Sequence, residues 1–142
     1  MHLDKENTFT PIGTALTATA TSDVVDTQGI GDVAIGCPLY VVSKVHTALT
    51  SGGASTLTAV LQTATDLAFT SPITLMTSGS IAKASLVKGY NILQGAIPIG
   101  AKRYLRIVYT VGTADFTAGK ISSFITTHPQ AEQYLNSAVP VN

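Results

Sequence analysis

The sequence predicts an all-β protein: an antiparallel β-sandwich, jelly-roll-like, of about eight strands with an extended arm at each end. Three observations carry that reading. Thr is the commonest residue and Ala the next, while charged residues make up only 11% of the 142-residue chain. β-Branched Thr suits a pleated strand, where Glu and Lys do not. Apolar and polar residues alternate with the period of a strand in segment after segment, and Gly, Ser, Pro and Asp clusters separate those segments.

Residues 1–13 are expected to form an N-terminal arm. Met1 to Phe9 mixes charge with the isolated apolar residues Leu3 and Phe9 and has no period, and Pro11 and Gly13 punctuate its end. Residues 14–127 are expected to form the sandwich. Ala15 to Ser22 reads as a weak edge strand of small residues, continued by Val24 to Asp26 after a bend. Thr27 to Gly36 reads as a glycine-rich loop. Leu39 to Leu49 is a strong strand, with Leu39, Val41 and Val45 on one side and Tyr40, Val42, Lys44 and His46 on the other. After the turn Ser51 to Ser55, the strand Leu57 to Thr65 sets Leu57, Ala59, Leu61 and Thr63 against Thr58, Val60 and Gln62.

Asp66 and Pro72 supply turn chemistry around Phe69, which is expected to plug the end of the sandwich. Ile73 to Met76 is a short strand, turned by Ser78-Gly79-Ser80. Ile81 to Lys88 lacks a period and fits either a bulged strand or a single helical turn. Tyr90 to Ile97 is a strand with Ile92 on one face and Leu93 and Ile97 on the other, stopped by Pro98 and Gly100.

The clearest alternation lies in AIPIGAKRYLRIVYTVGTADFTAGKISSFI, Ala96 to Ile125. Leu105, Ile107, Tyr109 and Val111 face one way, and Tyr104, Arg106, Val108 and Thr110 the other. Ile121, Ser123 and Ile125 then oppose Lys120, Ser122 and Phe124. The connector GTADFTAG is bounded by Gly and carries Asp115, so the two arms are expected to form an antiparallel hairpin. His128-Pro129 ends the last strand. Residues 128–142 are expected to form a C-terminal tail, in which Ala131 to Leu135 can make one helical turn.

Composition narrows function mainly by what it disfavours. Eight basic and eight acidic residues leave no excess positive charge for a nucleic-acid backbone. The single cysteine, Cys37, followed by Pro38, is expected to be a buried structural thiol. MHLDKEN lacks the apolar run of a secretory signal, and no stretch approaches the roughly twenty apolar residues of a membrane helix. The expected compartment is therefore the cytosol, unless a larger particle carries the protein elsewhere. His2, His46 and His128 are far apart and lack ligand spacing. The two glutamates, Glu6 and Glu132, fall in the arms, and Asp23, Asp26, Asp32, Asp66 and Asp115 fall at turns. No GxSxG is present, and Gly29-Ile30-Gly31 precedes no helix. The expectation is no catalytic, cofactor-binding or metal residue, and a sparsely charged surface suited to an assembly.

One charge cluster stands out. Lys102, Tyr104 and Arg106 share a face at strand spacing, with Arg103 pointing away. The arrangement fits either a solvated rim with Tyr104 beneath the Arg stems or contact with an acidic partner surface. Together, HLDKENTF, PLYVVSKV, TLTAVLQTATDLAFTSPITL and above all IPIGAKRYLRIVYTVGTADFTAGKISSFI resemble the cement (decoration) proteins of short-tailed bacteriophage capsids of the Bordetella-phage type. The resemblance covers residues 2–127, and RYLRIVYTV…FTAGK is its most specific part.

It implies a jelly roll without catalysis or cofactor. Such a protein binds the outside of the icosahedral shell as a homo-oligomer, dimer or trimer, and ties major capsid protein subunits together. It implies a place on the outer capsid surface of the virion, reached by assembly in the host cytoplasm, with neither nucleic acid nor membrane as partner. HPQAEQYLNSAVPVN is longer than the family pattern, so the resemblance implies nothing for it. The candidate partner-interface residues are Leu3 and Phe9 in the N-terminal arm, Lys102, Tyr104 and Arg106, and Tyr134, Leu135 and Val139 in the tail. The rival reading, a carbohydrate-binding or host-recognition β-sandwich module of a phage tail or fibre, calls for an aromatic stacking face. The chain has no Trp, and its five Tyr are scattered.

Overall fold

A strand with one apolar face is stable only when a second layer covers that face. The computed structural model, which describes residues 5–28, 33 and 35–127, meets this requirement with two sheets. Its strands are β1 (Thr8–Ala15), β2 (Ala20–Thr21), β3 (Val25–Asp26), β4 (Tyr40–Thr50), β5 (Thr56–Ala64), β6 (Ile73–Thr77), β7 (Ile81–Ala82), β8 (Asn91–Ala96), β9 (Tyr104–Gly112) and β10 (Ala118–Thr126). Short 3-10 turns occupy Lys5–Asn7 and Lys83–Ser85.

One sheet has the order β1-β10-β4-β8 and the other β2-β9-β5-β6, with every pairing antiparallel. β3 also pairs with β9 and β7 with β5, so the strands fill eight sheet positions. Most connections cross from one sheet to the other, which is the jelly-roll arrangement. Between the sheets lies one core, including Phe9, Val41, Val45, Leu57, Leu61, Leu86, Leu105, Ile107 and Ile121. Each large side chain buried there contributes roughly 1.5–3 kcal/mol.

The expected hairpin does not form. β9 and β10 are consecutive but lie in opposite sheets, β9 beside β5 and β10 between β1 and β4. Stacked face to face, their apolar rows cover one another, whereas paired edge to edge both rows would still need a cover. The connector is also longer than the two residues of a tight hairpin turn. Phe116 anchors it in the core, while its N–H donates to Thr17 O at 2.8 Å and the Thr117 N–H to Thr50 O at 2.7 Å.

The N-terminal arm is likewise shorter than expected. β1 begins at Thr8, and Phe9 is fully buried in the core rather than free for a partner. Register shifts between Thr8 and Thr10 and between Thr10 and Thr14 disturb the alternation of β1, so that consecutive Phe9 and Thr10 are both buried. Of Ala15 to Ser22, Ala15 ends β1 and Ala20–Thr21 forms β2, while the residues between them are not strand. A shift between Ser43 and Lys44 on β4 similarly lets Ile92 and Leu93 of β8 both enter the core, where opposite faces were expected. Ile81 to Lys88 divides into β7 and a 3-10 turn. Cys37, expected to be buried, is exposed, because the segment around it lies outside the strands.

Candidate interaction surface

β5 and β9 pair without interruption from Thr56↔Gly112 to Ala64↔Tyr104, and this register sorts every side chain. Leu57, Leu61, Leu105, Ile107 and Tyr109 point inward and are buried. Tyr104, Arg106, Val108 and Thr110 point outward opposite Ala64, Gln62, Val60 and Thr58; all but Ala64 are half-buried or exposed.

The outer face is held by contacts within the chain. Arg106 Nε donates to Gln62 Oε1 at 3.0 Å, directly across the pair, and its guanidinium carbon lies 4.1 Å from the centre of the Phe69 ring. Phe69 is buried but outside the core cluster, so it floors this face under Arg106 instead of plugging the sandwich end. Its loop is pinned by Asp66, whose carboxylate accepts the Thr70 N–H at 2.9 Å and the Thr70 hydroxyl at 2.8 Å. The Thr70 N–H, and then the Thr70 hydroxyl, hold the Asp66 carboxyl below its ordinary pKa.

At the start of β9, Arg103 Nε and Nη2 donate to Asp26 Oδ1 and Oδ2, both at 2.9 Å, and the guanidinium carbon lies 4.9 Å from the centre of the Tyr104 ring. The Arg103 hydrogen bonds depress the Asp26 pKa, helped by the Gln28 N–H. Lys102 N donates to Thr63 Oγ1 at 2.8 Å, and Thr63 Oγ1 donates to Tyr104 O at 3.0 Å, which fixes the backbone leading into β9.

Of the residues expected at a partner interface, Tyr104 and Arg106 therefore share the outer face, with half-buried Lys102 just ahead of the strand. Phe9 does not belong with them. Leu3, Tyr134, Leu135 and Val139 lie outside the described residues. Sequence reasoning missed Gln62, Phe69 and Asp26 as members of this surface. Asp26 carries only a turn signal, Phe69 reads as a plug for the sandwich end, and Gln62 has only an outward position on its strand.

Behind this face the core carries a polar row. Thr10, Ser123 and Ser43 are neighbours in register on β1, β10 and β4. Tyr109 reaches across from the other sheet to hydrogen-bond Ser123 Oγ, and it meets Ser43 Oγ at 3.0 Å. Small hydroxyl residues leave room for the phenol tip. Burial raises the Tyr109 pKa above 10.0, against the opposing effects of the Ser123, Ser43 and Thr10 hydroxyls. Among the described residues there is no cluster of metal-ligating side chains and no helix long and apolar enough to cross a membrane.

The fold thus defines a jelly-roll β-sandwich whose β5–β9 outer face is held by contacts within the chain. The sequence model of the Bbp16 family matches residues 11–125, from within β1 to within β10. The chain belongs to the Bbp16 family, a Bordetella phage protein family. A search of curated proteins gave no match.

Proposed function

We propose that the protein is a capsid cement (decoration) protein. In this reading it binds the outer surface of a tailed-phage icosahedral shell as a homo-oligomer, dimer or trimer. Its role there is to bridge major capsid protein subunits, without catalysis or cofactor. The observation that carries the reading is the β5–β9 outer face, on a chain from a phage protein family. Tyr104, Val108 and Val60 offer area there, and Arg106 is already oriented by Gln62 and Phe69. Side chains fixed before binding lose little rotamer freedom on contact, and Arg and Tyr are enriched at interfaces. With Lys102 beside it, Arg106 makes the face suited to an acidic partner surface. Repetition over a shell lets modest affinities accumulate across the seams between subunits.

Quantifying the protein in purified virions tests the role. It should be present in many copies, at a fixed ratio to the major capsid protein. A handful of copies per particle would overturn the proposal and favour a tail or fibre component. For the surface itself, Arg106→Glu and Tyr104→Ala should abolish capsid binding while leaving the free protein folded. Undiminished binding by both variants would remove this face from the interface.

A further inference from the structure

At the end of the sandwich where β10 finishes and β4 begins, the core reaches the surface. Thr126 pairs with Tyr40 there, and a cleft of about 620 Å³ opens beside them. Its apolar walls are Val25, Val33, Ile35, Leu39 and Ile125, with Cys37 among them. Val33, Leu39 and Ile125 pack against the core but are only partly buried, and Ile35 is 68% exposed. The cleft is thus an outward continuation of the core. Apolar surface left in water at such a margin favours contact with an apolar segment that can reach it.

The chain itself delivers such a segment to this place. Thr126 and Thr127, the last described residues, line the same cleft, and the fifteen residues 128–142 follow them. His128-Pro129 comes first, and proline favours a turn that sends the chain back. From Gln130 to Asn142 the one charged side chain is Glu132, and Tyr134, Leu135, Val139 and Val141 supply spaced apolar groups. At roughly 3.3 Å per extended residue, Tyr134 and Leu135 can reach any point of the cleft from Thr127. So short a tether holds them at an effective concentration of about millimolar, and the same segment of a second copy competes only when the protein is that concentrated.

We infer that this cleft is the docking site for the chain's own C-terminal segment. Tyr134 and Leu135 enter against Ile35, Leu39 and Ile125, and the segment covers Cys37. The tail then closes this end of the core. Docking needs no other partner, so it is read on the free protein and does not depend on capsid binding.

Cys37 supplies the test, because its thiol reports on the cleft wall of the full-length protein. Its reaction with an aromatic disulfide reagent is followed in wild type and in the double variant Tyr134→Ser/Leu135→Ser, with circular dichroism showing that both are folded. Wild type should react about tenfold more slowly than the variant, the protection given by a segment docked about nine-tenths of the time. That protection should not change on dilution, and methyl NOEs from Leu135 to Ile35 or Leu39 should accompany it. Equal rates in the two proteins, or the absence of those NOEs, overturn the inference. Protection that weakens on dilution overturns it as well, and assigns the cleft to the tail of a second copy.

Discussion

β9 and β10 follow one another in the chain, span nine residues each and alternate equally well in sequence, yet their surroundings differ. β9 keeps its alternation in space, with a core face of Leu105, Ile107 and Tyr109 and an outer face of Tyr104, Arg106 and Val108. β10 is buried on both faces from Ile121 to Phe124. Phe124, 6% exposed, pairs in register with Val42, 5% exposed, and neither belongs to the inter-sheet core. The two sheets therefore present unlike outer surfaces, one with an apolar pair and one with a polar, aromatic-floored face. A period of two fixes that a segment is a strand and which residues share a face. It does not fix which faces water reaches.

The sharpest way to break the comparison is within β9 itself. Ile107→Ala should cost about 2–5 kcal/mol, the range for truncating a fully buried large aliphatic side chain. Arg106→Ala, one position away on the outer face, removes the stack on Phe69 and the bond to Gln62 and should cost about 1 kcal/mol or less. Urea melts of the two variants give the ranking. A larger loss from Arg106→Ala would mean that the outer face, not the core, holds β9 in place.

Tyr109→Phe comes next, since this hydroxyl is the polar link between β9 and β10. Removing it leaves Ser43 and Ser123 with only their 3.4 Å contact, at an expected cost of about 1–3 kcal/mol. Alkaline pH probes the same group. Because the folded-state pKa is raised above 10.0, the stability that depends on the neutral phenol is complete below that value. It is lost as pH rises from there through the folded pKa. Melting temperature should therefore fall more steeply above pH 10 in wild type than in Tyr109→Phe. Parallel curves would show that Tyr109 is not the group whose ionisation matters.

Legibility followed regularity. β5 and β9 pair over one long uninterrupted register, and their inward and outward residues are readable one by one. β1 is not, because its register shifts bury Phe9 and Thr10 together and hide the alternation of a strand. The hairpin error has a different source. Alternation carries no information on whether two arms share an edge or face each other, and here burial favoured the second. Phe69 was recognisable as a buried ring, but its place under Arg106 depends on a loop conformation that includes a φ of 52° at Phe69. Arg103 meets Asp26 across 77 positions, a separation that no local motif encodes.

That ion pair gives the smallest expected effect and bears on how β9 begins. Both side chains are well exposed, 47% for Arg103 and 39% for Asp26, so water and salt screen their attraction. The geometry is nevertheless bidentate, with both contacts at 2.9 Å. An Asp whose pKa is depressed in the folded state adds stability above its unfolded pKa and loses it as pH falls through the folded value. The window is therefore acidic, below the ordinary aspartate value of 3.8. Asp66 is depressed as well, but by Thr70 and not by a cation, which makes it an internal reference. In a carboxyl-detected NMR titration at low salt, both residues should titrate below 3.8. Arg103→Ala should move Asp26 upward and leave Asp66 in place, and added salt should move Asp26 more than Asp66. If Asp26 does not respond to Arg103→Ala, the Gln28 N–H is the group that holds its carboxylate, and the loop after β3 is anchored by backbone contacts instead of charge.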